Sequence, residues 1–249
     1  MENEIKKTLQ QIEKLNGIKI LFAVESGSRV WRLESKNSDY DVRFVFIRPK
    51  KDYLRITRLK DVVEHKIDDI DIVGFDIYKF MNLLLASNPT AIEWLQSDIV
   101  YIDRLYVKKK LFTFIENNYN PTALYYHYKS MGKQNYLKYI KSLDYLSYKK
   151  YLYAMRGLLN AQYVVDKNQI PPINFNEIVN QMNEINVIKN KLLNIIYLKK
   201  HGQEENRVGV IKEFDNYIEH MLKKDEILID RHVKDYQKLQ KMLFELLGV

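Results

Sequence analysis

Strand-forming patterns are confined to about the first 110 residues of this chain, and helical patterns fill the remainder. Short apolar runs predict buried strands at 18–25 and 39–48. Two further strands are predicted at 61–67 and 69–75, joined by a tight turn. Beyond them the apolar residues recur at helical spacing, with one continuous helix predicted over 174–202, so the later strands that a pure sheet protein needs are missing. This division predicts an α+β fold.

The predicted domains follow from the same division. Residues 1–115 are expected to form a catalytic domain with a mixed sheet and flanking helices, and residues 116–249 a C-terminal helical domain. The chain has no cysteine, which excludes disulfide partners and thiolate zinc sites and fits a cytoplasmic location. No stretch has the length and apolar character of a signal peptide or membrane span, so no membrane association is expected.

The positive charge of the chain is concentrated in one segment. The net charge is +8, and residues 101–167 carry all of the excess together with 13 of the 19 tyrosines. Interleaved lysine and tyrosine predict a surface that neutralises phosphates and stacks on bases, with Lys129 and Lys133 on one helical face as the first RNA-binding candidates. The alternative interpretation is a solvated helical face whose tyrosines pack in the core.

Two aspartates begin the predicted second strand. Alternation in a strand places Asp39, Asp41 and Arg43 on one face, with Val42 and Phe44 on the other. Carboxylates this close repel each other, and a divalent cation removes the conflict because carboxylate oxygens are preferred ligands of Mg²⁺. The alternative is a water-facing loop, since an Asp-x-Asp pattern also occurs by chance.

A Gly-Ser turn precedes this aspartate pair. Gly27 and Ser28 directly follow the predicted strand 18–25, and a turn of this kind exposes backbone N–H groups to an anion. The interval from Ser28 to Asp39 is long enough for a short helix and a return into the next strand. A phosphate cradle and metal-binding carboxylates would then face the same cleft.

These residues carry a resemblance to a known group of enzymes. The run "ESGSRVWRLESKNSDYDVRFVFIRP" resembles the signature of the DNA polymerase β nucleotidyltransferase superfamily, and more closely its predicted branch linked to RNA repair. Three later pieces are similar to the same branch: "DIVGFDIYKF", "NPTAIEWLQSDIVY", and "KKYLYAMRGLL" followed by "PP". The resemblance covers roughly residues 20–180 and implies a polymerase-β-like mixed sheet.

The resemblance implies roles for individual residues. Gly27 and Ser28 match the pair that contacts the β- and γ-phosphates of a nucleoside triphosphate, and Asp39 and Asp41 match the metal-binding pair. A third acidic residue is implied on a neighbouring strand, where it binds the catalytic metal and accepts the proton of the attacking hydroxyl. Asp71 is the first choice for it and Asp69, which shares its face, is the second. Two Mg²⁺ ions are implied, with Mn²⁺ as the alternative.

The residues after the Gly-Ser pair depart from the family pattern. A small residue and a glycine are expected after "GSR", whereas this chain has Val30, Trp31 and Arg32. Arg29 is a nucleotide-binding candidate, and the sequence equally allows a structural ion pair with Glu25 or Glu34.

A polar stripe is predicted on one helix of the helical domain. Lys149, Tyr153, Arg156 and Asn160 recur at helical spacing, with apolar residues on the opposite side. This stripe would bind the triphosphate, with Arg156 as a forked donor, and Lys150 is also matched by the resemblance. The alternative is a basic face that is simply exposed to water.

Together these features predict a Mg²⁺-dependent nucleotidyltransferase that transfers a nucleoside monophosphate from a nucleoside triphosphate to an acceptor hydroxyl, preferably on a tRNA-like RNA end. One alternative keeps the chemistry and changes the acceptor to a protein or a small molecule. A second is a non-catalytic RNA-binding module on the same fold. The identity of the nucleotide and the oligomeric state are left open.

Overall fold

The computed structural model describes residues 1–141, 146–182, 186–203, 207–226 and 235–249. The strands are β1 (Lys19–Glu25), β2 (Tyr40–Ile47), β3 (Val62–Ile67), β4 (Ile70–Asp76), β5 (Val100–Asp103), β6 (Leu146–Ser147) and β7 (Arg207–Val208). The helices are α1 (Glu2–Asn16), α2 (Gly27–Val30), α3 (Lys50–Tyr53), α4 (Ile77–Leu85), α5 (Pro89–Gln96), α6 (Val107–Asn118), α7 (Pro121–Tyr139), α8 (Tyr148–Lys167), α9 (Phe175–Asn180), α10 (Asn186–Lys200), α11 (Lys212–Lys223) and α12 (Tyr236–Leu247). The predicted α+β class is confirmed.

The chain divides into two compact units. Unit 1 comprises Met1–Val30, Asp39–Tyr119 and His232–Val249, and unit 2 comprises Trp31–Ser38 and Asn120–Arg231. The short segment between the Gly-Ser turn and Asp39 therefore belongs to the helical unit. The division into domains at residues 115/116 stays a prediction, because compactness does not establish that either part folds independently.

Unit 1 contains a five-stranded mixed sheet. Its strand order is β3-β4-β2-β1-β5, in which β2 and β4 are parallel and every other neighbouring pair is antiparallel. The end of β1 therefore lies beside the start of β2, with Glu25 opposite Val42, while Asp41 is level with Asp71 on β4. The predicted acidic residues consequently meet at one end of the sheet.

Three features of the secondary structure differ from the prediction. The two-residue strands β6 and β7 pair antiparallel beyond residue 110, where no strand was predicted, because two residues are too few for a strand pattern. Strand β5 has only four residues and lies at the edge of the sheet, which is too short for a readable alternation. The sequence also predicted one continuous helix over 174–202, whereas the structure has the separate helices α9 and α10, with Gln181 as the C-cap of the first.

Both faces of the sheet in unit 1 are covered. Helix α1 lies on one face, where its buried residues join those of β2; this core includes Ile5, Leu9, Ile12, Val42, Phe44 and Phe46. Aromatic rings fill the opposite face, where Trp94 stacks on Phe75 and Phe80 at centroid distances of 4.6 and 5.7 Å. Burial on both faces explains the nearly continuous apolar character of β1 and the later part of β2.

Unit 2 is organised around α8. Helices α7 and α8 approach closely at Gly132 and Gly157. A Cβ on Gly157 would lie only 2.6 Å from the backbone nitrogen of Gly132, so this approach requires glycine at position 157. Helices α9, α10 and α11 also pack on α8, so this helix is buried around most of its circumference. No helix in the described part of the chain combines the length and the apolar character needed to cross a membrane.

Candidate active site

The turn after β1 is fastened to the start of β2 by hydrogen bonds on both sides of Asp41. The backbone N–H of Ser26 donates to the carbonyl of Asp41 at 2.9 Å. The backbone N–H of Asp41 donates to Oε1 of Glu25, also at 2.9 Å. The hydrogen bonding between β1 and β2 therefore extends to the Glu25 side chain, and the position of Asp41 is fixed relative to the turn.

Gly27 is required at this turn for two independent reasons. Its φ is +65°, in the left-handed region that disfavours side chains. A Cβ at this position would lie 2.1 Å from Oδ2 of Asp41 and 2.9 Å from its Cγ. The absence of a side chain thus lets the Asp41 carboxylate lie directly against the turn.

Arg43 bridges the two carboxylates that lie level on β2 and β4. Its Nη2 donates to Oδ1 of Asp41 and to Oδ2 of Asp71, both at 2.8 Å. Its Nη1 donates to the backbone carbonyls of Val42 and Asp71 at 3.1 and 3.0 Å. Oδ1 of Asp41 and Oδ2 of Asp71 accept hydrogen bonds from the same nitrogen, so the distance between these two oxygens is at most twice the hydrogen-bond length. The side chains of Asp41 and Asp71 remain 30% and 38% exposed.

The electrostatics of this cluster reflect burial and crowded charge. Burial raises the pKa of the Asp41 carboxyl; Arg43 opposes this effect, and the nearby charges of Asp71 and Asp39 add to it. Burial likewise raises the pKa of Glu25, whose Oε2 accepts a 2.6 Å hydrogen bond from the Tyr101 hydroxyl. The carboxylates of the predicted set therefore lie close enough to influence one another.

The structure distinguishes the positions of Asp71 and Asp69. Asp71 lies level with Asp41 and shares Arg43 with it. Asp69 precedes β4 and its side chain is exposed, while its backbone carbonyl accepts a hydrogen bond from the N–H of Tyr40 at 2.8 Å. Asp39 is exposed immediately before β2. The geometry brings Asp71 to the pair, and its catalytic role stays a prediction.

The predicted metal site is occupied by an internal cation in this arrangement. Within the described ranges, no group of three or more His, Asp or Glu side chains is arranged to hold a metal ion. The donor set nevertheless fits Mg²⁺ in kind, because Asp39, Asp41 and Asp71 offer hard, negatively charged oxygens that are partly open to solvent. Arg43 contacts Oδ1 of Asp41 and Oδ2 of Asp71, and an ion at this site would compete with its Nη2 or bind the other carboxylate oxygens.

The other predicted residues of the turn are held within unit 1. Ser28 is buried in α2. Nε of Arg29 lies 3.7 Å from Oε1 of Glu25, and its guanidinium lies 3.8 Å above the centre of the Tyr40 ring. Of the alternatives for Arg29, the structure shows the ion pair with Glu25, and its contact with phosphate stays a prediction.

Arg156 is buried in unit 2 rather than exposed on a basic face. Its guanidinium lies 3.6 Å from the centre of the Trp31 ring, and the residue is only 6% exposed. Tyr153 meets the same ring edge-on at 6.0 Å. Arg32, the next residue after Trp31, has a φ of +59°, a left-handed conformation that glycine adopts without strain.

The rest of the predicted stripe is only partly accessible. Lys149 and Lys150 are half-buried, and Nζ of Lys150 lies 4.1 Å above the Tyr139 ring. Asn160 is buried, and its Oδ1 has no hydrogen-bond partner. The opposite side of the helix is buried as predicted, at Leu152, Met155 and Leu159. A simply water-exposed stripe is therefore wrong, while binding of triphosphate by these residues stays a prediction.

The two predicted RNA-binding lysines are in different environments. Lys129 is buried, and its ammonium donates to the carbonyl of Lys224 at 2.6 Å and to Oδ1 of Asp225 at 2.9 Å. Lys133 is exposed. The two side chains thus do not present a common exposed cationic pair, because the cation of Lys129 is already neutralised within the unit.

Few tyrosines of the basic segment are highly exposed among those that the structure describes. Among the tyrosines of residues 101–167 that the structure describes, five are buried, and these are Tyr101, Tyr125, Tyr128, Tyr136 and Tyr151. Only Tyr106 and Tyr126 of the described set are highly exposed. The clustering of tyrosine along the sequence therefore reflects core packing more than a surface.

A cavity of about 780 Å³ lies within unit 2, lined by residues of α8, α9, α10 and α11. Its lining includes Tyr163, Met182, Tyr217 and Met221. None of the predicted site residues lines it, so this cavity is separate from the predicted chemistry.

Comparison with known proteins identifies the class of this chain. It belongs to the RlaP family, the RNA repair pathway DNA polymerase beta family, whose model matches residues 1–245. The chain is 36% identical over 218 residues to the uncharacterized protein YcgL of Bacillus subtilis (strain 168), covering 86% of this chain and 84% of that protein. The predicted resemblance is therefore confirmed.

A solved structure is also similar to this chain at a low level. It is the crystal structure of a nucleotidyltransferase-like protein from Exiguobacterium sibiricum, which is 12% identical, with 97% of this chain and 88% of that chain covered and a TM-score of 0.32. A score of this size does not establish a shared fold, so the family assignment rests on the family model and the Bacillus relative.

Two residues at this edge of the sheet were missed from the sequence. Glu25 fixes the backbone of Asp41, and Tyr101 on β5 donates to Glu25. A glutamate at the end of an otherwise apolar strand was the available signal, because a buried carboxylate requires partners. No sequence signal pointed to Tyr101, since its strand was not predicted.

Proposed function

We propose that this chain is a Mg²⁺-dependent nucleotidyltransferase that transfers a nucleoside monophosphate from a nucleoside triphosphate to an acceptor hydroxyl, with an RNA end as the preferred acceptor. The observation that carries the proposal is the placement of Asp41 level with Asp71 on adjacent parallel strands, together with the position of Asp41 against the Gly27 turn. Membership in the polymerase-β-like family supports the same chemistry.

Asp39, Asp41 and Asp71 would hold the metal ions. When bound, Mg²⁺ supplies Lewis acidity toward the phosphates and the attacking hydroxyl. The residues of the chain supply the position: Glu25 and Ser26 fix the backbone of Asp41.

Asp71 would accept the proton of the acceptor hydroxyl. Its Oδ2 is engaged by Arg43, whereas its Oδ1 makes no hydrogen bond to any described residue. The side chain is also partly exposed, so an acceptor can approach it. The free oxygen, Oδ1, is the atom expected to take the proton.

The triphosphate would lie against Gly27 and Ser28. The turn would supply backbone N–H groups to the phosphates beside the Asp41 carboxylate, and the Ser28 hydroxyl would add one donor. Arg29, fixed by Glu25 and Tyr40, contributes positive charge beside the turn.

Arg43 has a distinct role in this proposal. It neutralises Asp41 and Asp71 when no ion is present, and its two backbone hydrogen bonds hold the guanidinium in place independently of the carboxylates. Replacing Arg43 by Gln should therefore increase the rise in melting temperature on addition of Mg²⁺, because the ion would then relieve a larger repulsion.

The proposal is tested by incubating the protein with each labelled nucleoside triphosphate, Mg²⁺ and total RNA. We expect label in RNA from one nucleotide, and no label with Asp41→Asn. Label in protein would identify the protein-modifying alternative, and label in a small-molecule fraction the small-molecule one. RNA binding without any transfer would favour the non-catalytic module. An equal Mg²⁺ shift in wild type, Arg43→Gln and Asp41→Asn would contradict the metal site.

A further inference from the structure

The connection between β2 and β3 carries an unusual concentration of positive charge. Residues 48–60 contain six cationic residues and one acidic residue: Arg48, Lys50, Lys51, Arg55, Arg58 and Lys60, with Asp52. The positive and negative charges of residues 1–100 sum to zero, so the net charge of this part of the chain does not reveal the local excess. We call residues 48–60 the basic loop.

The middle of the basic loop extends into solvent. Every residue from 54 to 60 is exposed, and Leu54 and Ile56 are 84% and 104% exposed. Among the described residues, the side chains of Lys51, Arg58 and Lys60 make no ion pair. Apolar side chains and cations without an ion pair thus lie side by side on an exposed surface of unit 1.

Both ends of the basic loop are fixed to unit 1. The hydroxyl of Tyr53 accepts from the N–H of Arg48 and donates to Oδ2 of Asp76, both at 3.0 Å. Nη2 of Arg48 donates to the carbonyl of Lys60 at 3.0 Å, which closes the loop. Nζ of Lys50 donates to the carbonyl of Gly248 at 2.6 Å. These anchors hold the free cations on a defined support, which reduces the entropy lost on binding.

The basic loop lies at the end of the sheet opposite the carboxylates. Asp41 is near the start of β2, whereas Arg48 follows its last residue, Ile47. Seven residues of extended strand separate the two positions, a distance of about 23 Å. A ligand that contacts both must therefore be longer than this distance, and the cations of the basic loop favour an anionic one.

We propose that the basic loop binds the phosphate backbone of the RNA acceptor, at a distance from the reacting end. This inference rests on the proposed function, in which an RNA end reaches Asp41 and Asp71. The unpaired cations match phosphates in charge, and the exposed apolar residues between them can pack on ribose and base surfaces. The RNA contact predicted from the sequence at Lys129 and Lys133 is thereby moved to unit 1.

The test compares two triple variants with the same change in net charge. The first is Lys51→Glu, Arg58→Glu and Lys60→Glu, which removes only the unpaired cations of the basic loop. The second is Lys7→Glu, Lys212→Glu and Lys241→Glu, which changes exposed lysines elsewhere. Circular dichroism and melting temperature verify that each variant is folded.

Filter binding to an RNA hairpin longer than about 25 Å, across a salt series, gives the decisive measurement. Loss of three phosphate contacts should lower the log–log salt slope by about 2 to 3 and weaken binding about 100-fold at 0.1 M salt. The control triple should retain most of the affinity. A dinucleotide acceptor, too short to reach the loop, should bind both variants equally.

Equal weakening by both triple variants would overturn the proposal, because it would show a general charge effect. Binding of the wild type to phosphatidylserine vesicles but not to the hairpin would also overturn it and assign the loop to a membrane surface. RNA binding is measured without nucleotide transfer. A protein that transfers no nucleotide can therefore still show whether the basic loop binds RNA.

Discussion

Arg43 in the sheet and Arg156 in the helical unit show how differently two regions of this molecule use the same side chain. Arg43 is engaged by two carboxylates and two carbonyls at a partly open sheet end. Arg156 lies on the ring of Trp31 in the interior of unit 2. Alternation along a strand placed the first on the same face as Asp41, whereas helical spacing did not predict the burial of the second.

The difference shows that the surroundings of a charged side chain decide whether it can respond to a ligand or serves the stability of the fold. A cation beside exposed carboxylates can exchange for another cation, so its region can change state when a ligand binds. A cation on a buried aromatic ring has lost its water and has a structural partner, so its removal is expected to affect stability first. Four pairs of substitutions would sharpen or break this contrast.

The largest effect is expected at the sheet end. Asp71→Asn should lower transfer by about 10³-fold or more, since loss of a metal ligand and proton acceptor removes several kcal/mol of transition-state stabilisation. Asp69→Asn is the matched control and should retain activity, because only its backbone carbonyl contacts β2. Single-turnover rates with saturating nucleotide measure both. A larger loss at Asp69 would identify that residue as the third carboxylate.

Gly27→Ala should give the next largest effect. The new Cβ would displace the Asp41 carboxylate, and a displacement of about 1 Å costs about 100-fold in rate. Gly17→Ala is the matched control, because Gly17 also has a left-handed φ, at +59°, but a Cβ there meets nothing within 4 Å. Both variants should lose about 1 to 2 kcal/mol of stability, and only Gly27→Ala should lose the additional activity. If Gly27→Ala and Gly17→Ala have equal transfer activity, the Gly27 turn does not contribute to catalysis.

Arg156→Met tests the other side of the comparison. Loss of the buried contact with Trp31 should cost about 2 kcal/mol of stability, while Lys150→Met, at a half-exposed contact with Tyr139, should cost about 0.5 to 1 kcal/mol. Urea unfolding and titration with a non-hydrolysable nucleotide are measured together. If Arg156→Met leaves stability intact and weakens nucleotide binding, Arg156 belongs to the triphosphate site, as the sequence predicted.

The smallest effect is expected at Arg32. The left-handed φ of Arg32 costs about 1 kcal/mol, and glycine would remove this strain. Glycine also loses more backbone entropy on folding, so the net gain in stability of Arg32→Gly should be about 0.5 kcal/mol. Asn168→Gly is the control at a φ of +50°, where asparagine is already tolerated, and should give no gain. A loss of stability at Arg32 would show that its side-chain contacts outweigh the strain.

The sequence by itself determined the α+β class, four of the five strands of the sheet, the Gly-Ser turn and the face shared by Asp41 and Arg43. These features depend on local alternation and turn chemistry, which act between neighbouring residues. The family resemblance was equally local, since it rests on short motifs at the Gly-Ser turn, in β4 and α4, in α5 and β5, and on α8.

Only the tertiary structure decided which charges face solvent. Asp71 became the neighbour of Asp41 through the register of two parallel strands that are distant in sequence, and β5 was recognisable only by its pairing with β1. Lys129 and Arg156 are buried because helices of unit 2 and the segment carrying Trp31 pack around them. The basic loop is open because its ends are anchored while residues 54–60 are exposed to solvent. Long-range packing sets the burial of a charge, and a count of charges along the sequence contains no information about packing.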